Sequence, residues 1–206
     1  MMWKDWSEKQ TNFLQWRNKN RKQRDKRSWT VFKEQFLKMV PVLNSNSTVL
    51  DVGCANGAFL KQVVNRCGCY GVGVDPYPLK ADFPVVKAVA EYLPFRNGCF
   101  ALIFTTSSLD HFQSPGRFVS EVDLLLQENG CLMVMQGIEN EDENDPTHLR
   151  SFSENSLLYL FRRFYLVAIK RVYAFAWLIP NWICRLLSPI YGRAVLIIVM
   201  SKEKNQ

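Results

Sequence analysis

Histidine is scarce in this sequence, two in 206 residues, and cysteine, present six times, never forms a C-x-x-C pair. The two residue types do not group at metal-ligand spacing either, so no metal centre is expected. Cys54, Cys67, Cys69, Cys99, Cys131 and Cys184 read as buried or free thiols, most of them inside apolar strands. That excludes a disulfide framework and suits a reducing, cytoplasmic compartment. Long apolar runs are missing as well. The stretch VYAFAWLIPNWIC, Val172 to Cys184, is thirteen residues long and interrupted by Pro180 and Asn181, too short and too broken to cross a bilayer. Residues 1–10 have no apolar core of the secretory kind, because Lys4, Asp5, Glu8 and Lys9 stand among the tryptophans. Acidic residues disappear altogether from Asn155 to Lys202, and no internal repeat is evident. What remains is an ordinary globular composition, 48% hydrophobic and 22% charged with a net charge of +7. A chain of this size buries a full core as one domain.

The stretch Thr48 to Leu60, TVLDVGCANGAFL, joins an apolar strand to a helix through a glycine turn. Gly53 and Gly57 lack a Cβ, so a ligand can approach the backbone closely, and the free N–H groups of the following helix start favour polar or anionic groups. A second apolar run, Cys69 to Val74, ends in Asp75, eighteen positions after Gly57. That spacing fits one βαβ unit, and a carboxylate there is placed to accept both hydroxyl protons of a ribose. A dinucleotide would ask for G-x-G-x-x-G, but the corresponding positions here are Gly53, Ala55 and Ala58.

Four blocks occur in order: LDVGCANG (Leu50 to Gly57), GVD (Gly73 to Asp75), VAEYLPF (Val89 to Phe95) and FALI (Phe100 to Ile103). Over residues 48–136 the chain resembles the class I S-adenosylmethionine-dependent methyltransferases, in particular the small single-domain group. The resemblance implies an α/β fold, a Rossmann-like seven-stranded, mostly parallel sheet with helices on both faces, and S-adenosylmethionine as cofactor. By the same resemblance Asp51, Gly53, Cys54, Ala55 and Gly57 would lie along the methionine part, Asp75 would hold the ribose, and Ala90 and Glu91 would flank the adenine. Asn56, Pro76, Thr106 and Ser107 complete the implied cofactor contacts. The segment Thr105 to Phe112 looks like the loop beneath the sulfonium that faces the acceptor. Asp110 and His111 in that loop, with His148 and Arg150 after the fifth strand, are therefore the candidates for acceptor binding or proton removal. Three positions depart from the family pattern. Ala55 replaces a glycine, a change that is sterically tolerable if φ stays negative. Val89 stands in place of an aspartate that would accept from the adenine amino group, and Ala101 replaces the aspartate of FDLV.

Elsewhere the pattern reads as alternating α/β. Residues 1–40 form an N-terminal helical extension and residues 41–206 the main domain, with an apolar insertion at about 176–192. Three prolines in PYPLKADFP leave a loop where a helix would separate the second and third strands. The expected elements are a third strand over Val85 to Val89, a fourth over Phe100 to Phe104, a helix over Pro115 to Gln127 and a fifth strand over Cys131 to Met135. After an exposed acidic loop, Glu139 to Asp145, come a serine-capped helix over Ser153 to Phe161 and two strands, Leu166 to Phe175 and Ala194 to Met200. The apolar, acid-free C-terminal region points to a small-molecule, glycan or lipid-linked acceptor. Its insertion is either an acceptor lid or a peripheral contact with the membrane through residues 172–192. The basic run Arg17, Lys19, Arg21, Lys22, Arg24, Lys26 and Arg27 supports a rival, an RNA methyltransferase. Val89 and Ala55 suggest a third reading, a weak or inactive relative that keeps the sheet as a binding module.

Overall fold

The computed structural model describes residues 26–78, 81–138, 148–173, 180, 183 and 194–203. The first 25 residues with most of the basic run, the acidic loop and nearly all of the apolar insertion lie outside the described residues. No helix among the described residues is long and apolar enough to cross a membrane.

Seven strands form one sheet: β1 (Thr48–Val52), β2 (Tyr70–Val74), β3 (Val85–Val86), β4 (Phe100–Thr106), β5 (Leu126–Ile138), β6 (Tyr165–Tyr173) and β7 (Ala194–Ser201). Their order is β3-β2-β1-β4-β5-β7-β6. The first five run parallel, and β7 lies antiparallel between β5 and β6. Helix α1 (Lys26–Met39) precedes β1, α2 (Ala58–Cys67) joins β1 to β2, α3 (Pro115–Leu125) joins β4 to β5, and α4 (Glu154–Leu160) precedes β6.

Alternation along the strands explains why helices cover both faces. Val49, Leu102, Phe104, Met133, Met135, Val195, Ile197 and Val199 point to one side, where Phe32 and Phe36 of α1 and Phe59, Leu60 and Val63 of α2 meet them. Leu50, Val52, Ile103, Leu132, Val134, Leu196 and Ile198 point to the other, against Phe118, Val122 and Leu125 of α3 and Leu157 of α4. The Phe36 ring lies 5.4 Å from Phe59 and 5.5 Å from Phe104, centroid to centroid. The helical material before β1 is thus a wall of the core, with Phe36 fully buried.

Several boundaries move from their expected places. The third strand stops at Val86 rather than Val89, because the Val89 carbonyl accepts from the Tyr92 N–H in a turn. Helix α3 ends at Leu125 rather than Gln127. Leu126 turns extended at φ −67°, ψ 138° and pairs with Phe100, which starts the fifth strand five residues early. Helix α4 has the expected cap: the Ser153 hydroxyl accepts from the Ser156 N–H, and Ser156 returns the contact to the Ser153 N–H. Between β2 and β3 the described residues carry bends and no helix. The neighbours of β1 leave in opposite directions, to β2 on one side and β4 on the other. A ligand crevice is expected at the carboxyl end of such a strand.

Candidate functional site

The turn after β1 is held by main-chain contacts from β2. The N–H groups of Gly53 and Cys54 both donate to the Val74 carbonyl, at 2.8 and 3.0 Å. Gly53, Ala55 and Gly57 have φ of 80°, 51° and 64°. The condition for easy tolerance, a negative φ at Ala55, is not met: the alanine adopts the left-handed conformation of the glycine it replaces. The reason is tertiary, since this geometry aims the Ala55 N–H at Asp75 Oδ2, 2.8 Å away. Asp75 Oδ1 accepts from the Tyr77 N–H, also at 2.8 Å, so Asp75 fastens the glycine turn to the end of β2. The two glycines are required by close approach as well. A Cβ on Gly53 would stand 2.5 Å from Ser108 Oγ, and one on Gly57 would stand 1.7 Å from the Phe83 ring.

Asp51, in β1 beneath this turn, is 1% exposed, and its Oδ1 has no hydrogen-bond partner. Burial pushes its carboxyl well above the usual carboxylate range, the charge of Asp75 adds to the rise, and the Leu60 backbone N–H opposes it. Burial, with Asp51 and Asp75 behind it, also pushes the Cys54 thiol far up. Cys54 therefore carries a protonated, inert thiol.

The segment around Ala90 and Glu91 is bound to the start of α3. Glu91 Oε1 accepts from the Ser114 N–H at 3.0 Å, the Glu91 carbonyl accepts from Arg117 Nε at 3.3 Å, and Glu121 Oε2 accepts from the Leu93 N–H at 3.1 Å. Ala90 is buried, and Val89 is partly buried beside it. Asn56 Oδ1 accepts from the Ala58 N–H at the start of α2, and Pro76 stands in the bend that follows Asp75.

The loop after β4 lies against the same glycine turn. Thr106 ends β4, and Ser107, at φ 49°, donates its N–H to the Met135 carbonyl at 2.7 Å. Ser108 Oγ reaches the carbonyls of Gly53 and Thr106. A short 3-10 turn, Leu109–His111, follows, with the Leu109 N–H bound to Gln136 Oε1 at 3.2 Å. Asp110 is 8% exposed. His148 Nε2 lies 3.2 Å from its Oδ2 and His111 Nε2 3.9 Å from its Oδ1. The two imidazoles are 4.8 Å apart at 49°. Candidates chosen from two separate loops thus converge on one carboxylate. The Leu149 N–H donates to the Asp110 carbonyl at 3.0 Å, and Arg150 donates through Nη1 to the Phe112 carbonyl and through Nη2 to the Gln113 carbonyl. Arg150, a candidate for acceptor contact, clamps the two loops together through these bonds.

Ser108, Gln136 and Phe83 also shape the site, and sequence reasoning did not single them out. Gln136 had a signal, a lone amide in the apolar run MVMQGI; Phe83, in a proline-rich loop, had none. The concavity lined by Gly98, Asp123, Leu126, Glu128 and Lys202 lies where β4 and β5 begin, away from the site residues.

Residues 20–169 match the model of a family described as "Methyltransferase domain". Among curated proteins, the malonyl-[acyl-carrier protein] O-methyltransferase of Legionella pneumophila is 27% identical over 48% of this chain and 37% of its own length. The tRNA U34 carboxymethyltransferase of Shewanella pealeana is 29% identical over 48% of this chain and 34% of its own. The chain thus spans little more than a third of the curated relatives it matches. Among solved structures, the geranyl diphosphate C-methyltransferase of Streptomyces coelicolor, in complex with Mg2+, geranyl diphosphate and S-adenosyl-L-homocysteine, superposes with a TM-score of 0.67. It is 13% identical over 84% of this chain and 80% of that one.

Proposed function

The chain belongs to the S-adenosylmethionine-dependent methyltransferase family, and on that premise we propose that it moves the cofactor's methyl group to a small-molecule, glycan or lipid-linked acceptor. The observation that carries the cofactor reading is the buried Asp51 oxygen without a donor, with Asp75 close enough to raise its pKa. Two carboxylates facing one turn are relieved by a ligand with a cationic amino group and adjacent hydroxyls. S-adenosylmethionine has both, and it supplies a methyl already activated for transfer by the positive sulfur. Asp51 takes the amino group, Asp75 keeps an acceptor lone pair on each oxygen for the ribose, and the backbone at Gly53 and Gly57 allows close approach.

The acceptor is held at Asp110, His111 and His148, which stand beside the turn through the Ser108 contact to Gly53. Positioning there supplies most of what methyl transfer needs, and the imidazole and carboxylate groups deal with the acceptor's proton. The relative acting on a carrier-bound malonyl group and the fold neighbour binding geranyl diphosphate support a small or prenyl-like acceptor. The relative acting on tRNA favours a second reading, RNA, in which the basic residues before α1 make the contact.

Isothermal titration with S-adenosylmethionine and its demethylated product tests the cofactor site. Micromolar binding that weakens roughly tenfold or more in Asp75→Ala and Asp51→Asn is expected. A folded parent that binds neither ligand would sink the reading and leave a binding module in its place. For the acceptor, RNA affinity that falls steeply with salt and is lost on changing Arg21, Lys22 and Arg24 to glutamate would favour the second reading.

A further inference from the structure

The sequence holds no metal-ligand spacing, yet the fold assembles one from residues 37 positions apart. We propose that Asp110, His111 and His148 form a binding site for a first-row divalent transition metal of the zinc type. One carboxylate oxygen and one nitrogen from each imidazole lie within 4.8 Å of one another. Ligands about 2.0 to 2.1 Å from a tetrahedral ion stand about 3.3 to 3.4 Å apart. His148 Nε2 lies 3.2 Å from Asp110 Oδ2 and His111 Nε2 lies 3.9 Å from Asp110 Oδ1, so gathering one oxygen and both nitrogens about a single ion asks separations of up to 4.8 Å to close toward that spacing by side-chain rotation.

A second observation points to a ligand. The Asp110 side chain is 12% exposed, and its Oδ1 is shut off from solvent and accepts no hydrogen bond. A buried carboxylate oxygen without a donor is costly, and a cation removes that cost. The ligands also sit on anchored backbone. Gln136 holds the start of the 3-10 turn, the Leu149 N–H holds the Asp110 carbonyl, and Arg150 ties the two loops. That preorganisation is what a metal site requires.

The donor set selects the ion. Two imidazoles and one carboxylate suit zinc, iron(II), cobalt or nickel, whereas magnesium and calcium favour oxygen throughout. Three protein ligands leave at least one coordination position open, the arrangement of catalytic rather than structural sites. Both imidazoles are about a quarter exposed, so the cluster is reachable from solvent. An oxygen of the acceptor, a hydroxyl or carboxylate, would occupy the open position, and with the ion bound it is the ion, in place of the imidazoles, that would ease loss of the acceptor's proton. That last assignment rests on the proposed methyl transfer; the binding of the ion does not.

The full chain, stripped with chelator and dialysed, is titrated with Zn2+ by calorimetry and with Co2+ by visible absorption. One equivalent is expected to bind at micromolar affinity or tighter, with tetrahedral Co2+ bands and no thiolate-to-cobalt charge-transfer band. Asp110→Asn, His111→Ala and His148→Ala should each weaken binding, His148→Ala by roughly a hundredfold. Asp110 is buried and its variant can fail to fold, so His148→Ala, at a partly exposed ring and checked by a cooperative melt, decides. Sub-stoichiometric binding, equal affinity in folded His148→Ala, or a thiolate band would overturn the site. Loss of S-adenosylmethionine binding with the metal retained would instead overturn the methyl-transfer reading alone.

Discussion

Ala55 illustrates what a single residue leaves unsaid. The sequence shows a methyl group where the family carries hydrogen, but the sign of φ is set by Asp75, which draws the Ala55 N–H to its Oδ2. A contact twenty residues away has no signature in the letters around position 55. Left-handed backbone costs a non-glycine residue about 1 to 2 kcal/mol. Ala55→Gly is therefore expected to be neutral or to stabilise by up to about 1 kcal/mol in urea unfolding, offset in part by the added freedom of the unfolded chain. Ala55→Val, β-branched, should cost about 1 to 3 kcal/mol. Asp51 makes a second prediction. Its pKa is raised in the folded protein by burial first and Asp75 next. The folded state thus holds the proton where the unfolded chain has released it. The contribution to stability is full below the ordinary aspartate value of about 4 and is lost as pH rises through the raised value. In Asp51→Asn, which keeps the shape and removes the ionisation, the melting temperature relative to the parent should climb steadily from pH 4 to pH 8. A difference that stays flat with pH would show that Asp51 is not the group responsible.

At the scale of elements, the sequence made the glycine turn, the second strand, the loop in place of a helix and the Ser153 cap legible, because each depends on neighbours along the chain. It placed Asp110 and His111 in one loop and His148 in another, but it had no means of bringing them together. The meeting is made by the stretch 148–150, which lies alongside the 3-10 turn through the Leu149 N–H and the Arg150 guanidinium. Hydrogen bonds to carbonyls are not residue-specific on the receiving side, so Phe112 and Gln113 gave no hint of it. Arg150→Ala should cost about 1 to 3 kcal/mol in thermal unfolding. It should also separate the two imidazoles, seen as loss of the cross-relaxation between the His111 and His148 rings in nuclear magnetic resonance. Retention of that signal would mean that Leu149 alone suffices to hold the loop. The early start of β5 was illegible for a related reason. Leu126 continues the helical spacing of Phe118, Val122 and Leu125, and its pairing with Phe100 overrides that pattern.

For the molecule as a whole, the class of fold was readable because strand and helix periods alternate and because β1 through β5 pair in parallel. The position of β7 was less so. Its eight residues are buried throughout, and it fills the gap between β5 and β6 although it follows both in the chain. Synthesis therefore delivers the sheet with a missing inner plank. While the stretch between Ile138 and Ala194 is being translated, the hydrogen-bonding edge of β5 stands open, a wait of several seconds at about 5 to 20 residues per second. β6, with Tyr165, Leu166, Val167 and Ile169 exposed, has no partner from β5 to settle against in that interval. An exposed apolar edge of this kind is a substrate for holding chaperones and a template for aggregation. Nascent chains arrested before residue 194, held outside the ribosome by a linker, should be cut rapidly by protease in β5 and β6, and chains extended past Ser201 should resist. Equal resistance in both would mean that the parallel half folds and shields itself without its last strand.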